Sequence, residues 1–260
     1  MRMGISLQER YRMNSTCVIN ACNKKVLVKH LCSFHYYRKL RGVPLDKPFG
    51  RKYSLNEHYF DVIDTSSKAY LLGILLTDGC VWKHKLQDSY YCKLMVIDEE
   101  LVKFLKAELD TNYPIKFDIS KKAYSITLCS KIMFFSLENH GIIPKKTFRT
   151  IYPKNLNGFD GDFIRGCLDG DGSIVHYKSK YPRNRIIWAG TYNLLSQIEK
   201  TLRENCGLKF KKIYQYSHKK SFVLQYQAKN DIEKLTNYIY ANADNSFYLK
   251  RKQNNIIEGN

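Results

Sequence analysis

Two apolar runs dominate the hydrophobic pattern of this chain, and both stop at the dipeptide Asp-Gly. The first is Lys68–Gly79, KAYLLGILLTDG; the second is Asp162–Gly172, DFIRGCLDGDG. Both are apolar, helix-like runs long enough to predict helices. In each, a glycine precedes the terminal aspartate by five residues: Gly73 before Asp78, Gly166 before Asp171. The two aspartates stand 93 positions apart, and 89 residues come after the second. The segments downstream of the two runs also match. After Asp78, short alternating runs at 80–86 and 90–97 predict strands, 98–109 a helix, 114–119 and 123–129 strands, and 131–140 a helix. After Asp171 the same order is predicted at 173–178, 184–190, 193–204, 208–215, 221–228 and 230–241. The pattern is a tandem duplication of an αββαββα unit, an α+β fold with two pseudo-symmetric halves. Helices packed on one face of each sheet leave the other face open. The halves are expected over 59–158 and 159–260, with 144–160 joining them. A linker is expected over 42–58, which holds two prolines and two glycines, and a separate small module over 1–41.

The helix ends carry the candidate chemistry. Gly79 and Gly172 are expected as helix stops. A carboxylate just before the stop faces the negative end of the helix dipole, at a cost of a few tenths to ~1 kcal/mol. A sequence that does this twice at equivalent places implies an offsetting partner, and a divalent cation with hard oxygen ligands supplies one. Gly73 and Gly166 cost ~1 kcal/mol each in a helix interior. That cost is accounted for if the two helices pack backbone to backbone, bringing Asp78 and Asp171 side by side. Two carboxylates with metal make a phosphodiester-cleaving centre. The plain alternative is a pair of ordinary helix–turn–strand joints. DGDGS at 169–173 is not a calcium loop of the EF-hand type, because its sixth position is Ile174 and its twelfth Lys180.

LLGILLTDG and IRGCLDGDG resemble the two motifs of the single-chain LAGLIDADG homing endonucleases. The flanks FDVIDTSSKAYLLG, PKKTFRTIYP and FYLKRKQNN agree, and the similarity covers about residues 59–255. The resemblance implies a pseudo-twofold, DNA-binding saddle whose β-ribbons enter the major groove. It implies that the last acid of each motif, Asp78 and Asp171, holds catalytic Mg²⁺ or Mn²⁺. It implies site-specific double-strand cleavage of a long asymmetric DNA target by a monomer. The first motif departs at Leu76-Thr77, where an acid and a small residue are common, but its metal-binding position is intact. Basic residues surround the active sites of such enzymes. Motif matching points to Lys146 (in KKT) and Lys252 (in LKRKQ), as stabilisers of the reacting phosphate or as backbone-contacting or solvated lysines.

Charge extends this picture. The chain has 260 residues and a formal net charge of +19, and residues 1–60 hold 12 Lys/Arg against 3 Asp/Glu. Such a balance favours a polyanionic partner, nucleic acid first; the resemblance implies double-stranded DNA, with intron RNA as the alternative. No apolar run approaches a membrane span, so no membrane is expected. The N-terminus lacks the apolar region of a signal peptide, and eight cysteines fit a reducing, intracellular setting. A bacterial or phage-infected cytoplasm is expected, with an organelle left open. Cys80, Cys92, Cys129 and Cys206 read as small core fillers. On the open sheet faces, Lys83, Lys85, Lys93, Lys116, Arg185, Gln225 and Gln227 are the candidate DNA readers, since Arg or Lys suits guanine and Gln suits adenine.

Cys17-x4-Cys22-x9-Cys32-x2-His35 offers four soft ligands within 19 residues. Zn²⁺ takes such a set tetrahedrally and can fold a segment too small for its own core. His30 is a rival fourth ligand. With Lys24, Lys25, Lys29, Arg38, Lys39 and Arg41 around it, the cluster resembles the small zinc modules fused to phage-type homing nucleases. An added DNA contact is its expected role. Other roles open to the scaffold are an RNA-splicing maturase and a non-cleaving DNA-binding regulator. Protein splicing is not expected, because position 1 has no nucleophile and the end has no His-Asn pair.

Overall fold

The computed structural model describes residues 16–19, 22–42, 44–45, 52–86, 88–177, 183–215 and 221–257. The chain divides into two compact units, Met1–Lys52 and Tyr53–Asn260.

The small unit holds two isolated antiparallel bridges, Thr16–Lys25 and Val28–Leu31, and helix α1 (Ser33–Leu40). Its buried centre is Cys17, Cys22, Leu31, Cys32 and His35. The cysteines are therefore the core of this unit rather than an addition to one.

The larger unit runs α2 (Ser66–Thr77), β1 (Gly79–Lys83), β2 (Tyr90–Val96), α3 (Glu99–Glu108), β3 (Lys116–Asp118), β4 (Ala123–Cys129) and α4 (Lys131–Asn139). The order repeats as α5 (Asp160–Asp171), β5 (Ser173–Tyr177), β6 (Arg183–Gly190), α6 (Tyr192–Cys206), β7 (Tyr214–Gln215), β8 (Phe222–Tyr226) and α7 (Lys229–Ile239). A last helix, α8 (Lys250–Ile257), closes the unit. The predicted α+β duplication is present: two four-stranded antiparallel sheets, ordered β1-β2-β4-β3 and β5-β6-β8-β7. Helices α3 and α4 pack on the first sheet, α6 and α7 on the second. One core runs through both halves, from Leu71, Leu75, Leu94 and Ile126 to Ile164, Leu168, Ile186 and Leu224.

The helix α2 is apolar all round, and ten of its twelve residues are buried. A helix of that kind belongs at the centre of a molecule. It packs along α5. Buried polar bonds fix the pair. Ser66 donates to Asp162 (2.6 Å), Tyr70 donates to Asp169 (2.9 Å), and Arg165 forms an ion pair with Asp162 (2.8 Å) while donating to the Ile239 carbonyl (2.5 Å). Arg165 is fully buried, and a charge there is tolerable only because its donors meet a carboxylate and carbonyls.

Several expectations are corrected. Residues 53–58, expected in the linker, belong to the larger unit. Ser54 N–H donates to Asn112 Oδ1 (2.7 Å), Asn56 N–H to the Leu109 carbonyl (3.0 Å), and Ser130 hydroxyl to Glu57. The strand expected over 208–215 shrinks to Tyr214–Gln215. Lys211 explains the loss: its N–H donates to Glu199 of α6 (3.1 Å) and its ammonium pairs with Asp231 of α7 (2.8 Å), so the segment tracks the helices. Cys80 is not a core filler; it is exposed, while Cys92 is buried and Cys129 and Cys206 are half-buried. Gly79 and Gly172 do not stop their helices through left-handed backbone. Neither has a positive φ; instead a Cβ on Gly79 would lie 2.4 Å from the Leu75 carbonyl oxygen, and one on Gly172 2.6 Å from that of Leu168. The chain turns too tightly there for any side chain. Among the described residues no helix is long and apolar enough to cross a membrane.

Candidate active site

The α2–α5 crossing is set by its glycines. A Cβ on Gly73 would lie 2.4 Å from the Phe163 carbonyl oxygen, and one on Gly166 2.2 Å from that of Tyr70. The helices touch backbone to backbone, as the spacing of the two glycines predicts. At the far end a Cβ on Gly170 would lie 1.9 Å from Thr77 Oγ1 and 2.8 Å from Asp78 Oδ2. The Asp78 carboxylate therefore abuts the last turn of α5, which ends in Asp171.

Electrostatics follow from that placement. Burial, then the charge of Asp171, pushes the Asp78 carboxyl up to about 6, against the pull of Lys252, Thr77 and Lys146. A cavity of about 300 Å³ opens beside Asp78, lined also by Met95, Asp98, Asp169, Gly170 and Arg251. Two carboxylates on converging helix ends, one held against its charged form, with room for solvent beside them, suit a hard divalent cation. The donor chemistry fits Mg²⁺ or Mn²⁺.

The two lysines differ in the work their ammonium groups do. Lys146 lies at the start of a 3₁₀ turn (Lys146–Phe148) and donates to the Thr77 carbonyl (2.8 Å), at the end of α2. Lys252 lies in α8 and donates to the carbonyls of Leu168 (2.6 Å), Asp169 (2.7 Å) and Gly172 (2.8 Å), at the end of α5. Three strong acceptors saturate its three N–H groups. The geometry makes Lys252 a cap on the second motif helix, where its motif suggested a phosphate-contacting group. Burial lowers the pKa of both lysines. Sequence reasoning missed Asp169, which accepts from Tyr70 and from the Leu249 N–H (2.9 Å each) and so ties α8, and with it Lys252, to both motif helices. Its place inside the second motif was the available signal.

Strand alternation defines the two open faces. In the first sheet Val81, Cys92, Leu94, Ile126 and Leu128 turn to the core, while Cys80, Trp82, Tyr91, Lys93 and Thr127 share the other face. Lys116 pairs with Ser125 and lies on that open face too. Lys83 does not. It pairs with Tyr90 on the helix-packed side, 5.1 Å from that ring and 3.6 Å from Asp88. Lys85 is exposed in the turn after β1. In the second sheet Arg185 and Gln225 fall on the open face, and Arg185 donates to Gln227 Oε1 (3.4 Å). Trp82, Tyr91 and Thr127 were not foreseen.

With this geometry in view, solved structures provide the comparison. The chain is similar to the LAGLIDADG meganuclease I-AabMI bound to uncleaved DNA, at 13% identity and a TM-score of 0.51 over 73% of this chain and 87% of that one. It is also similar to the meganuclease I-SmaMI bound to uncleavable DNA, at 13% identity and a TM-score of 0.50 over 72% and 86%. The fold is the LAGLIDADG fold. No protein-family model matches the sequence, and no curated protein does. Within a LAGLIDADG fold the paired motif helices and the two four-stranded sheets are the expected frame, and here they carry Asp78 and Asp171 at the base of both open faces.

The small unit has a second cluster. Cys17, Cys22, Cys32 and His35 are all buried, with ligand atoms within 4.8 Å of one another. Cys22 and Cys32 sulfurs are 3.8 Å apart, and His35 Nδ1 lies 3.2 Å from Cys17 and 3.5 Å from Cys32. Tetrahedral zinc with Zn–S of ~2.3 Å sets sulfurs roughly 3.8 Å apart. The set fits Zn²⁺ with Nδ1 as the histidine donor. His30 is exposed in a left-handed turn (φ 61°) and stands outside the cluster.

Proposed function

We propose that this chain is a site-specific DNA endonuclease that makes double-strand breaks in a long asymmetric duplex by metal-dependent hydrolysis. The carrying observation is the convergence of Asp78 and Asp171 at the packed ends of α2 and α5. Both lie at the root of a strand, Gly79–Lys83 and Ser173–Tyr177, that begins an open sheet face. A duplex lying across both faces would have its backbone at the two acids. The DNA bound in both fold neighbours supports that substrate class.

Asp78 and Asp171 would hold the divalent metal, which supplies an activated water and neutralises charge on the leaving oxygen. Lys146 commits one N–H to Thr77 and keeps the others for a phosphate oxygen or the attacking water. Lys252 holds the end of α5, and through it Asp171, in place. Lys93, Lys116, Arg185, Gln225 and Gln227 would contact base edges, with Lys85 on the backbone. Zn²⁺ on Cys17, Cys22, Cys32 and His35 would fold the basic N-terminal unit as a further DNA contact. The unequal halves imply that one chain reads the whole site.

The test is cleavage of a randomised duplex library in Mg²⁺ by wild type, Asp78→Asn and Asp171→Asn. Enrichment of one long asymmetric site, cut on both strands by wild type alone, is expected. A bound site that no divalent metal renders cleavable sinks the enzyme claim and favours a regulator. Binding of intron RNA in place of duplex favours a maturase.

A further inference from the structure

The two halves match in backbone and differ in what they present. Counting from the catalytic acids, Trp82 is to Asp78 as Val175 is to Asp171. The cross-strand partners differ accordingly: Trp82 pairs with Tyr91, and Val175 with Arg185. In the first half the row continues to Cys129. In the second it continues to Gln227, which accepts from Arg185 at 3.4 Å. One row is an aromatic plate without charge; its counterpart is a guanidinium braced by an amide.

The plate is well defined. The Trp82 and Tyr91 rings stack with centroids 5.1 Å apart and planes 13° from parallel. Both side chains are half-buried on the open face. The other tryptophan, Trp188, is in the core and donates its indole N–H to Ile164. Stacked aromatics left on the working face of so basic a chain call for an apolar partner. A DNA major groove presents one apolar group, the C5-methyl of thymine. The row nearer the acids, Cys80–Lys93–Thr127, is polar and suits hydrogen-bonding edges. Two residues of strand advance ~7 Å, or about two base steps, so the plate meets a separate base pair.

We propose that Trp82 and Tyr91 specify thymine in the first half-site through its methyl group, and that Arg185, oriented by Gln227, specifies guanine at the matching place in the second. The proposal rests on the DNA-binding reading above and names the residues that make its target asymmetric.

The experiment uses the full chain in Ca²⁺, so that binding is measured apart from cleavage. A site is first selected from random duplex. Each thymine of the first half-site is then replaced by deoxyuridine, which deletes only the methyl. Wild type should lose three- to fivefold in affinity at one or two positions, the value of one buried methyl. Trp82→Ala should bind the thymine and deoxyuridine sites equally. In the other half, 7-deazaguanine at one position should cost wild type about tenfold and Arg185→Ala nothing further. Deoxyuridine without effect at every first-half thymine overturns the thymine assignment, as does the same penalty in Trp82→Ala. The wild-type base-analogue series needs no variant to fold. Failure to select any duplex would instead bring down the DNA-binding reading itself.

Discussion

A carboxylate at the end of an α-helix faces carbonyl oxygens, and Asp78 faces Asp171 as well. That arrangement is unfavourable until a cation joins it. Burial and the Asp171 charge raise the Asp78 pKa from 3.8 to about 6. A raised carboxyl means the folded state holds a proton that the unfolded state has lost between those values. The stability associated with it is present below pH 3.8 and lost as pH rises through 6. Metal-free wild type should therefore lose stability relative to Asp78→Asn across roughly pH 4–6.5. Asp78→Asn should be the more stable protein at about pH 7, by roughly 1–3 kcal/mol, while having no cleavage activity. Denaturant melts of both proteins at several pH values check this; parallel curves would refute it. Lys146 and Lys252 separate at the same scale. Lys252→Met strands three carbonyls and should cost on the order of 2–4 kcal/mol of stability, with activity falling as a consequence. Lys146→Ala removes one bond and should spare most of the stability while lowering the cleavage rate at saturating DNA.

At the scale of elements, the α2–α5 pair was the most legible part of the molecule. Its signal is local: a glycine five positions before an aspartate, twice. A glycine in a helix interior has few explanations, and close backbone packing is the one found. Gly166→Ala puts a methyl 2.2 Å from the Tyr70 carbonyl, and neither backbone can retreat without parting the two acids. A loss of at least about 3 kcal/mol, or failure to fold, is expected from thermal melts, against a gain for Gly→Ala in an ordinary helix. Features set by distant partners were not legible. Nothing near Lys252 in sequence names the carbonyls it caps, 80–84 residues away. Arg165 read as part of a motif, and its burial depends on Asp162, Ile239 and Phe247. Strand parity failed for a different reason. β1 begins at Gly79, directly after the acid, so even-numbered residues face outward. Looking only for polar side chains selected Lys83 over Trp82, its neighbour on the opposite face, because successive strand residues alternate between faces.

At the scale of the whole molecule, the net charge of +19 is spread unevenly. Between Glu9 and Asp46 the chain has eight Lys/Arg and no acid. The described part of that stretch has a core made of Cys17, Cys22, Leu31 and Cys32, with no other buried apolar side chain. Four ligands with so little else between them cannot outweigh the entropy of ordering the segment, so the proposed metal would supply its folding free energy. The larger unit carries its own continuous core and does not draw on that metal. Chelation of zinc should therefore unfold the small unit and leave the melting temperature of the larger one unchanged. The consequence for DNA is electrostatic. Each phosphate neutralised adds about 0.9 to the slope of log affinity against log salt. If the folded unit places three or four of its bases on the backbone, its loss should lower that slope by ~3. Affinity at low salt should fall by about tenfold or more, and the preferred sequence should stay the same, because phosphate contacts carry no base information. Titrations at several salt concentrations, with and without a zinc chelator, measure the two slopes directly. Equal slopes would remove the small unit from the DNA interface, and a changed sequence preference would make it a base reader in its own right.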